Sequence, residues 1–226
     1  MILQKSEFKV IQRNSDKTLL LIPGWATDYR IFDTLDLPYN YLMPVEPFLL
    51  GFEKGLLEAL DENGLDKISI LGWSLGGFLA AGFASRHRDR VDELILVGIK
   101  RRYEGKDIEK IKGYIRETRR GWLYKFYSEY FSNGEQETFL NFKKGLMRRY
   151  LDEMDAGSLV AGLDYLAGAE IKPESLKALK VRFVHGEEDR IAPIDEARRL
   201  CEELPGAEFI TVEGAGHMPF LTWTKI

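Results

Sequence analysis

The sequence predicts an α/β fold, a mostly parallel central sheet flanked by helices and interrupted by an inserted four-helix cap. Three observations carry that prediction. Strand-like and helix-like segments alternate through residues 1–100 and again through 172–226. A buried strand, a glycine-flanked serine turn and a helix follow one another at residues 68–87. Between residues 101 and 171 no strand-like run occurs. Alternating β and α units imply a parallel sheet covered by helices, with ligands bound at the carboxyl ends of its strands.

Phe8–Ile11 reads as a short edge strand, and Thr18–Ile22 as a strand buried on both faces, because its apolar run is unbroken. Tyr41–Met43 is a weaker strand, followed by a helix over Gly51–Asn63. Ile68–Leu71 is the strand before the serine turn and Phe78–His87 the helix after it. Glu93–Val97, Val181–Val184 and Glu208–Val212 complete the strands, with a helix over Pro193–Leu204 between the last two. In the insertion, Ile108, Ile111 and Ile115 recur at helical spacing, as do Phe139, Phe142, Leu146 and Tyr150. Trp122–Tyr130 and Leu159–Leu166 supply two further helices. The core is therefore expected over 1–100 and 172–226 and the cap over 101–171, where it would roof a site at the strand ends.

Composition narrows the function classes. The chain has 226 residues, 45% of them hydrophobic and 30% charged, enough for one substantial core. Its net charge of −4 argues against general nucleic-acid binding. No apolar run reaches the length of a membrane span, and Met1–Arg13 lacks the apolar core of a signal peptide. Cys201 is the single cysteine and has no internal partner, which fits a reducing cytoplasm. Histidine and cysteine spacing offers no metal site, and no cofactor motif is present.

The chemistry centres on Gly72-Trp73-Ser74-Leu75-Gly76-Gly77. A serine on a sharp strand-to-helix turn projects its hydroxyl above the sheet edge, and the small flanking residues let strand and helix approach. Serine needs a base to take its proton. Of the three histidines, His87 lies in a charged helix end, His185 in a turn after a strand, and His217 in the glycine-rich loop Glu213–Phe220 after the last strand. His217 is the expected base and His185 a structural turn residue. The orienting acid should follow the preceding strand, where Glu187, Glu188 and Asp189 stand, and Asp189 is the choice because it leads into a Pro-started helix. Oxyanion donors are expected from the N–H of Leu75, next to the nucleophile, and from that of Trp25, in the loop after Thr18–Ile22.

These pieces resemble the α/β-hydrolase superfamily. The order Ser74, Asp189, His217 is that of its triads, and Gly24-Trp25, His185-Gly186-Glu187-Glu188-Asp189 and His217-Met218-Pro219-Phe220 are similar to its carboxylesterases. Within that branch the resemblance is to the esterases of biotin biosynthesis that hydrolyse pimeloyl-acyl-carrier-protein methyl ester. It implies a substrate site made by Trp25, Ser74, Leu75 and His217 together with Phe139, Leu140, Asn141, Phe142 and Lys143 of the cap. Pro23-Gly24 stands where relatives have His-Gly, and the chain ends nine residues after His217, where relatives continue into a final helix. Exposed apolar surface, a partner or a dimer contact is the expected consequence; the expected state is a monomer or weak dimer.

Charge is unevenly spread. Residues 101–149 hold thirteen Lys/Arg against seven Asp/Glu, a balance of +6, which leaves −10 for the rest of a chain at −4. A basic cap on an acidic body would steer an acidic partner such as an acyl carrier protein, with Lys143, Lys144, Arg148 and Arg149 as its densest contact. A solvated helix face is the plainer reading of the same run. A broad short-chain esterase, a thioesterase or a carbon–carbon bond hydrolase fits the same motifs, and a non-catalytic relative is the other alternative.

Overall fold

The computed structural model describes residues 7–45 and 51–222. Met1–Ser6 and Trp223–Ile226, on which the readings of the leader and the chain's end partly fall, lie outside the described residues.

Seven strands form one sheet: β1 (Phe8–Ile11), β2 (Thr18–Ile22), β3 (Asn40–Pro44), β4 (Ile68–Trp73), β5 (Val91–Val97), β6 (Val181–Gly186) and β7 (Glu208–Val212). Their order is β1-β3-β2-β4-β5-β6-β7, and every pair is parallel except β1 with β3. β2, β3 and β4 are buried along their whole length, as mostly apolar strands in the middle of a parallel sheet are, and Asn40 and Ser69 are buried with them. β4 and β6 each run two residues beyond the apolar stretches that announce them, carrying Gly72, Trp73, His185 and Gly186 to the carboxyl edge.

The chain leaves β2 for β3 on one side and reaches β4 on the other, so the sheet's switch point lies between β2 and β4. A crevice opens there, at the strands' carboxyl ends. α1 (Phe52–Glu62), α2 (Leu75–Arg86) and α7 (Ile194–Glu202) flank the sheet. α2 starts three residues before its expected position, at the residue after Ser74. Its small residues allow close seating: a Cβ on Gly72 would lie 2.4 Å from the Gly76 carbonyl oxygen, and one on Gly76 2.3 Å from that of Ile22.

The insertion carries α3 (Gly105–Ser128), α4 (Gln136–Phe142), a π-helical turn (Lys143–Met147), α5 (Arg148–Glu153) and α6 (Ala156–Gly168). Thr118, with non-helical backbone, breaks α3 into two segments, so four helical rods result when α4 through α5 counts as one. The two ends of the insertion meet: Arg102 bridges Glu170, and Ile171 N–H donates to the Arg101 carbonyl at 2.9 Å. The exposed large hydrophobics among the described residues are Val10, Tyr114, Tyr124 and Leu140, on β1 and the cap. Phe209, Ile210 and Val212 of β7 are half-buried.

Candidate active site

Ser74 sits at the end of β4 with φ 53° and ψ −118°, a left-handed conformation costly for any residue but glycine. Hydrogen bonds hold it on both sides: its N–H donates to the Val97 carbonyl and its carbonyl accepts from Gly77 N–H, each at 2.9 Å. Ser74 is the N-cap residue of α2, yet its hydroxyl makes no capping bond and stays available for other chemistry. The helix N-terminus behind it favours developing negative charge.

The loop after β2 passes close by. A Cβ on Gly24 would lie 3.2 Å from the Ser74 Cβ and 2.9 Å from the Trp73 ring, so only glycine fits. Trp25 and Leu75 both line an apolar cavity with an empty volume of about 520 Å³, part of it open to solvent. The cap wall of this cavity comes from Met154, Ser158, Leu159 and Gly162. Phe139–Lys143 lie elsewhere. Phe142 is buried among Tyr127, Tyr130, Phe131 and Tyr150, Leu140 is 50% exposed, and the Lys143 ammonium donates to Tyr124 Oη at 2.9 Å. Helix periodicity finds the inward residues of a cap helix but not which inward surface faces the substrate.

Cap and loop are fastened together. The Trp25 indole N–H donates to the Leu159 carbonyl at 2.8 Å, and the Tyr130 and Tyr127 hydroxyls donate to the carbonyls of Trp25 (3.2 Å) and Ala26 (2.6 Å). Burial pushes the Tyr130 phenol well above its ordinary range, so it stays protonated and a donor.

Asp189 and His217 come from the loops after β6 and β7 and meet in the interior. His217 is fully buried, and its Nδ1 lies 2.7 Å from Asp189 Oδ2. The other carboxylate oxygen, Oδ1, accepts from the N–H groups of Ile191 and Ala192 at 2.9 Å each. Burial alone would raise the Asp189 carboxyl, but the adjacent His217 and His185 hold it well below the ordinary aspartate range. Glu187 and Glu188 are exposed. The His217 loop is drawn onto the serine turn: Trp73 donates its indole N–H to the His217 carbonyl, and the two rings lie 5.4 Å apart. His217 Nε2 is buried and has no hydrogen-bond partner in the protein. An imidazole fixed at Nδ1 by a carboxylate and free at Nε2 can accept a hydroxyl proton, and this one packs against Trp73, the neighbour of Ser74.

Two contacts escape the sequence reading. His185, buried at the end of β6, places Nε2 2.7 Å from the Ala192 carbonyl and 3.2 Å from Asp189 Oδ2, so it braces the acid loop rather than making a plain turn. Its place one strand-end before the acid was the available signal. Tyr103 stands near Ser74, and desolvation pushes its phenol up, so it stays protonated; nothing in the sequence marks it. Among the described residues, no group of three or more His, Cys, Asp or Glu is placed to hold a metal, and no helix is long and apolar enough to cross a membrane.

A model of the alpha/beta hydrolase fold family matches residues 51–222, well over half of the chain. The chain belongs to the α/β hydrolase fold family. This hydrolase is 25% identical over 236 residues to the pimeloyl-[acyl-carrier protein] methyl ester esterase of Aromatoleum aromaticum, an alignment covering 90% of this chain and 92% of the relative. It is 27% identical over 233 residues to the enzyme of that name from Neisseria meningitidis, covering 91% and 88%. Among solved structures it resembles a thermophilic esterase from Thermogutta terrifontis, with a TM-score of 0.80 at 20% identity over 94% of this chain and 86% of that one. At that identity the likeness speaks for the fold of this α/β hydrolase and leaves its substrate to the site itself.

Proposed function

We propose that this α/β hydrolase is a serine carboxylesterase with Ser74 as nucleophile, His217 as general base and Asp189 as the group that orients it. The observation that carries the reading is the buried His217 ring, held at Nδ1 by an ionised Asp189 and unpartnered at Nε2. His217 Nε2 takes the Ser74 proton as Oγ attacks the ester carbonyl, and the N–H groups of Leu75 and Trp25 receive the oxyanion. The tetrahedral intermediate collapses, the alcohol leaves with the proton from Nε2, and water attacks the acyl-enzyme through the same base. Asp189 offsets the positive charge that His217 carries between these steps.

The acyl group fits the apolar cavity beside Trp25 and Leu75. The relatives' names support a pimeloyl methyl ester carried on an acyl carrier protein as the substrate we propose, and with it a role in biotin biosynthesis. A second observation supports an acidic carrier. Arg120, Tyr124, Lys143 and Arg148 line a concavity of about 800 Å³ of empty space on the cap, open to solvent. Among the described residues Lys144 and Arg148 have no ion-pair partner, whereas Arg149 lies 3.7 Å from Glu153 and Lys143 leans on Tyr124. The basic residues on this face are thus partly uncommitted.

The test is hydrolysis of p-nitrophenyl esters and covalent labelling by a fluorophosphonate, with Ser74→Ala as control, followed by growth of a biotin-requiring strain lacking its methyl esterase. Labelling at Ser74 and loss of activity in the alanine variant are expected. Undiminished turnover by Ser74→Ala would end the triad reading, and failure to restore growth by an active enzyme would end the biotin assignment. A panel of acyl lengths, thioesters and leaving groups separates a carrier-dependent esterase from a broad one.

A further inference from the structure

We infer that the cap turn Tyr130–Glu135 positions the catalytic histidine, with the buried Glu135 carboxylate as the positioning residue. The inference rests on His217 being the general base. The turn joins α3 to α4, and it reaches down to the loop that carries His217. Glu135, 8% exposed, accepts two backbone N–H groups on one oxygen, Oε2: that of Ser132 in its own turn at 2.8 Å and that of Gly216, next to His217, at 2.7 Å. The His217 N–H donates to the Tyr130 carbonyl at 2.6 Å. Ser132 Oγ donates to the Gly214 carbonyl, and Arg190, next to Asp189, donates from Nη2 to Asn133 Oδ1 at 3.1 Å. One short turn thus touches both loops that bring the imidazole and its carboxylate together.

The closeness is built in. A Cβ on Gly216 would lie 2.3 Å from the Tyr130 carbonyl oxygen, and one on Gly186 would lie 1.9 Å from that of Gly216. Acid loop, histidine loop and cap turn are stacked through two glycines, with no slack for a side chain between them. Without the Glu135 oxygen, two buried N–H groups would lose a charge-assisted acceptor, and the histidine loop would be free to drift. A cap fastened in this way is part of the frame that aims Nε2, and its role extends beyond roofing the substrate. Positioning errors on the order of 1 Å cost roughly a hundredfold in rate.

Steady-state hydrolysis of p-nitrophenyl butyrate by the full chain tests this in E135A and E135Q, with unfolding midpoints measured alongside and Ser74→Ala as the inactive control. E135A is expected to lower kcat by about 10- to 100-fold while KM stays within about twofold, because substrate is still bound and the base is misplaced. E135Q keeps an oxygen acceptor at the same reach and is expected to retain kcat within about threefold. Should E135A fail to fold, Glu135→Asp, one methylene short of both N–H groups, has to show the same selective loss of kcat. The inference is overturned if E135A keeps kcat within about twofold, if only KM rises, or if E135Q is as impaired as E135A. An active wild type with an inactive Ser74→Ala and an unaffected E135A overturns this inference alone, whereas an inactive wild type overturns the esterase reading with it.

Discussion

Trp73 reaches across the sheet edge to donate its indole N–H to the carbonyl of His217 at 2.8 Å. Residues 144 apart in sequence are thereby tied, and the residue preceding Ser74 becomes an anchor for the proposed base. Trp73→Phe keeps an aromatic ring but leaves the buried carbonyl without its donor, a loss of about 1–3 kcal/mol. The expected result is a lower unfolding midpoint together with a fall in kcat of roughly tenfold, since a loosened base is misaligned. Thermal unfolding and ester hydrolysis check both; an unchanged kcat would mean that the histidine is held sufficiently by its other contacts.

The backbone of Ser74 stores strain that alanine would inherit and glycine would not. Left-handed conformations of this kind cost a non-glycine residue about 1–3 kcal/mol, of which about 0.4–1 kcal/mol is returned when glycine loosens the unfolded chain. Ser74→Ala and Ser74→Gly both lose the hydroxyl, so both should be inactive. Ser74→Gly is expected to unfold a few degrees above Ser74→Ala, about 2–4 °C for each kcal/mol in a chain of this size. Equal midpoints would show the turn to be relaxed.

Gly162 sets the seat of Trp25. A Cβ there would lie 2.6 Å from Trp25 Cδ1 and 3.0 Å from its Nε1, and the indole cannot swing aside without breaking its bond to the Leu159 carbonyl. Helix propensity favours alanine over glycine by about 1 kcal/mol, while overpacking costs about 1–3 kcal/mol. The clash wins because the ring is rigid and pinned. Gly162→Ala should therefore lower stability slightly and kcat/KM by roughly tenfold, through displacement of the loop proposed to hold the oxyanion. Kinetics at unchanged pH decide it, and a variant both more stable and fully active would refute the tight seating.

Asp189 gives the protein an acid-side signature. Its folded carboxyl is depressed below the ordinary aspartate value, so the stability it lends is complete above the unfolded pKa of about 3.9 and drains away as pH falls toward the folded value. Below about pH 4 the wild type should lose stability more steeply than Asp189→Asn, by up to about 1.4 kcal/mol per pH unit, the weight of one proton. Denaturant unfolding across that range measures the difference. Parallel curves would mean that the folded carboxyl titrates at its ordinary value.

Much of this architecture is written locally. Leu19–Ile22 and Leu94–Val97 announce buried parallel strands because no polar residue interrupts them, and Gly72, Gly76 and Gly77 mark a turn where backbone must touch backbone. Ser74 and His217 are legible because each follows a strand within a glycine-rich stretch. Asp189 is harder to read, since three acids share its loop and only the folded structure, through burial and the bond to His217, tells them apart. What stays hidden depends on how distant segments meet. The cap wall beside Trp25 comes from Met154, Leu159 and Gly162, and the aromatic periodicity around Phe139 and Phe142 serves the cap's own interior. Tyr103 near Ser74, His185 beside Asp189 and Glu135 under Gly216 are products of the assembled fold, and no spacing rule reaches across such separations.

The insertion departs and returns at adjoining points, where Arg102 faces Glu170 and Ile171 is bonded to Arg101. To the sheet it is a detour between neighbouring positions, so its length and contents can change without altering the distance the core must bridge. Exchange of the whole cap with a relative's is then a route to new acyl preferences on an unchanged core. Because the descending turn also grips the loop of His217, the base we propose, a transplanted cap would need a matching grip, or it would change the choice of ester at the expense of turnover.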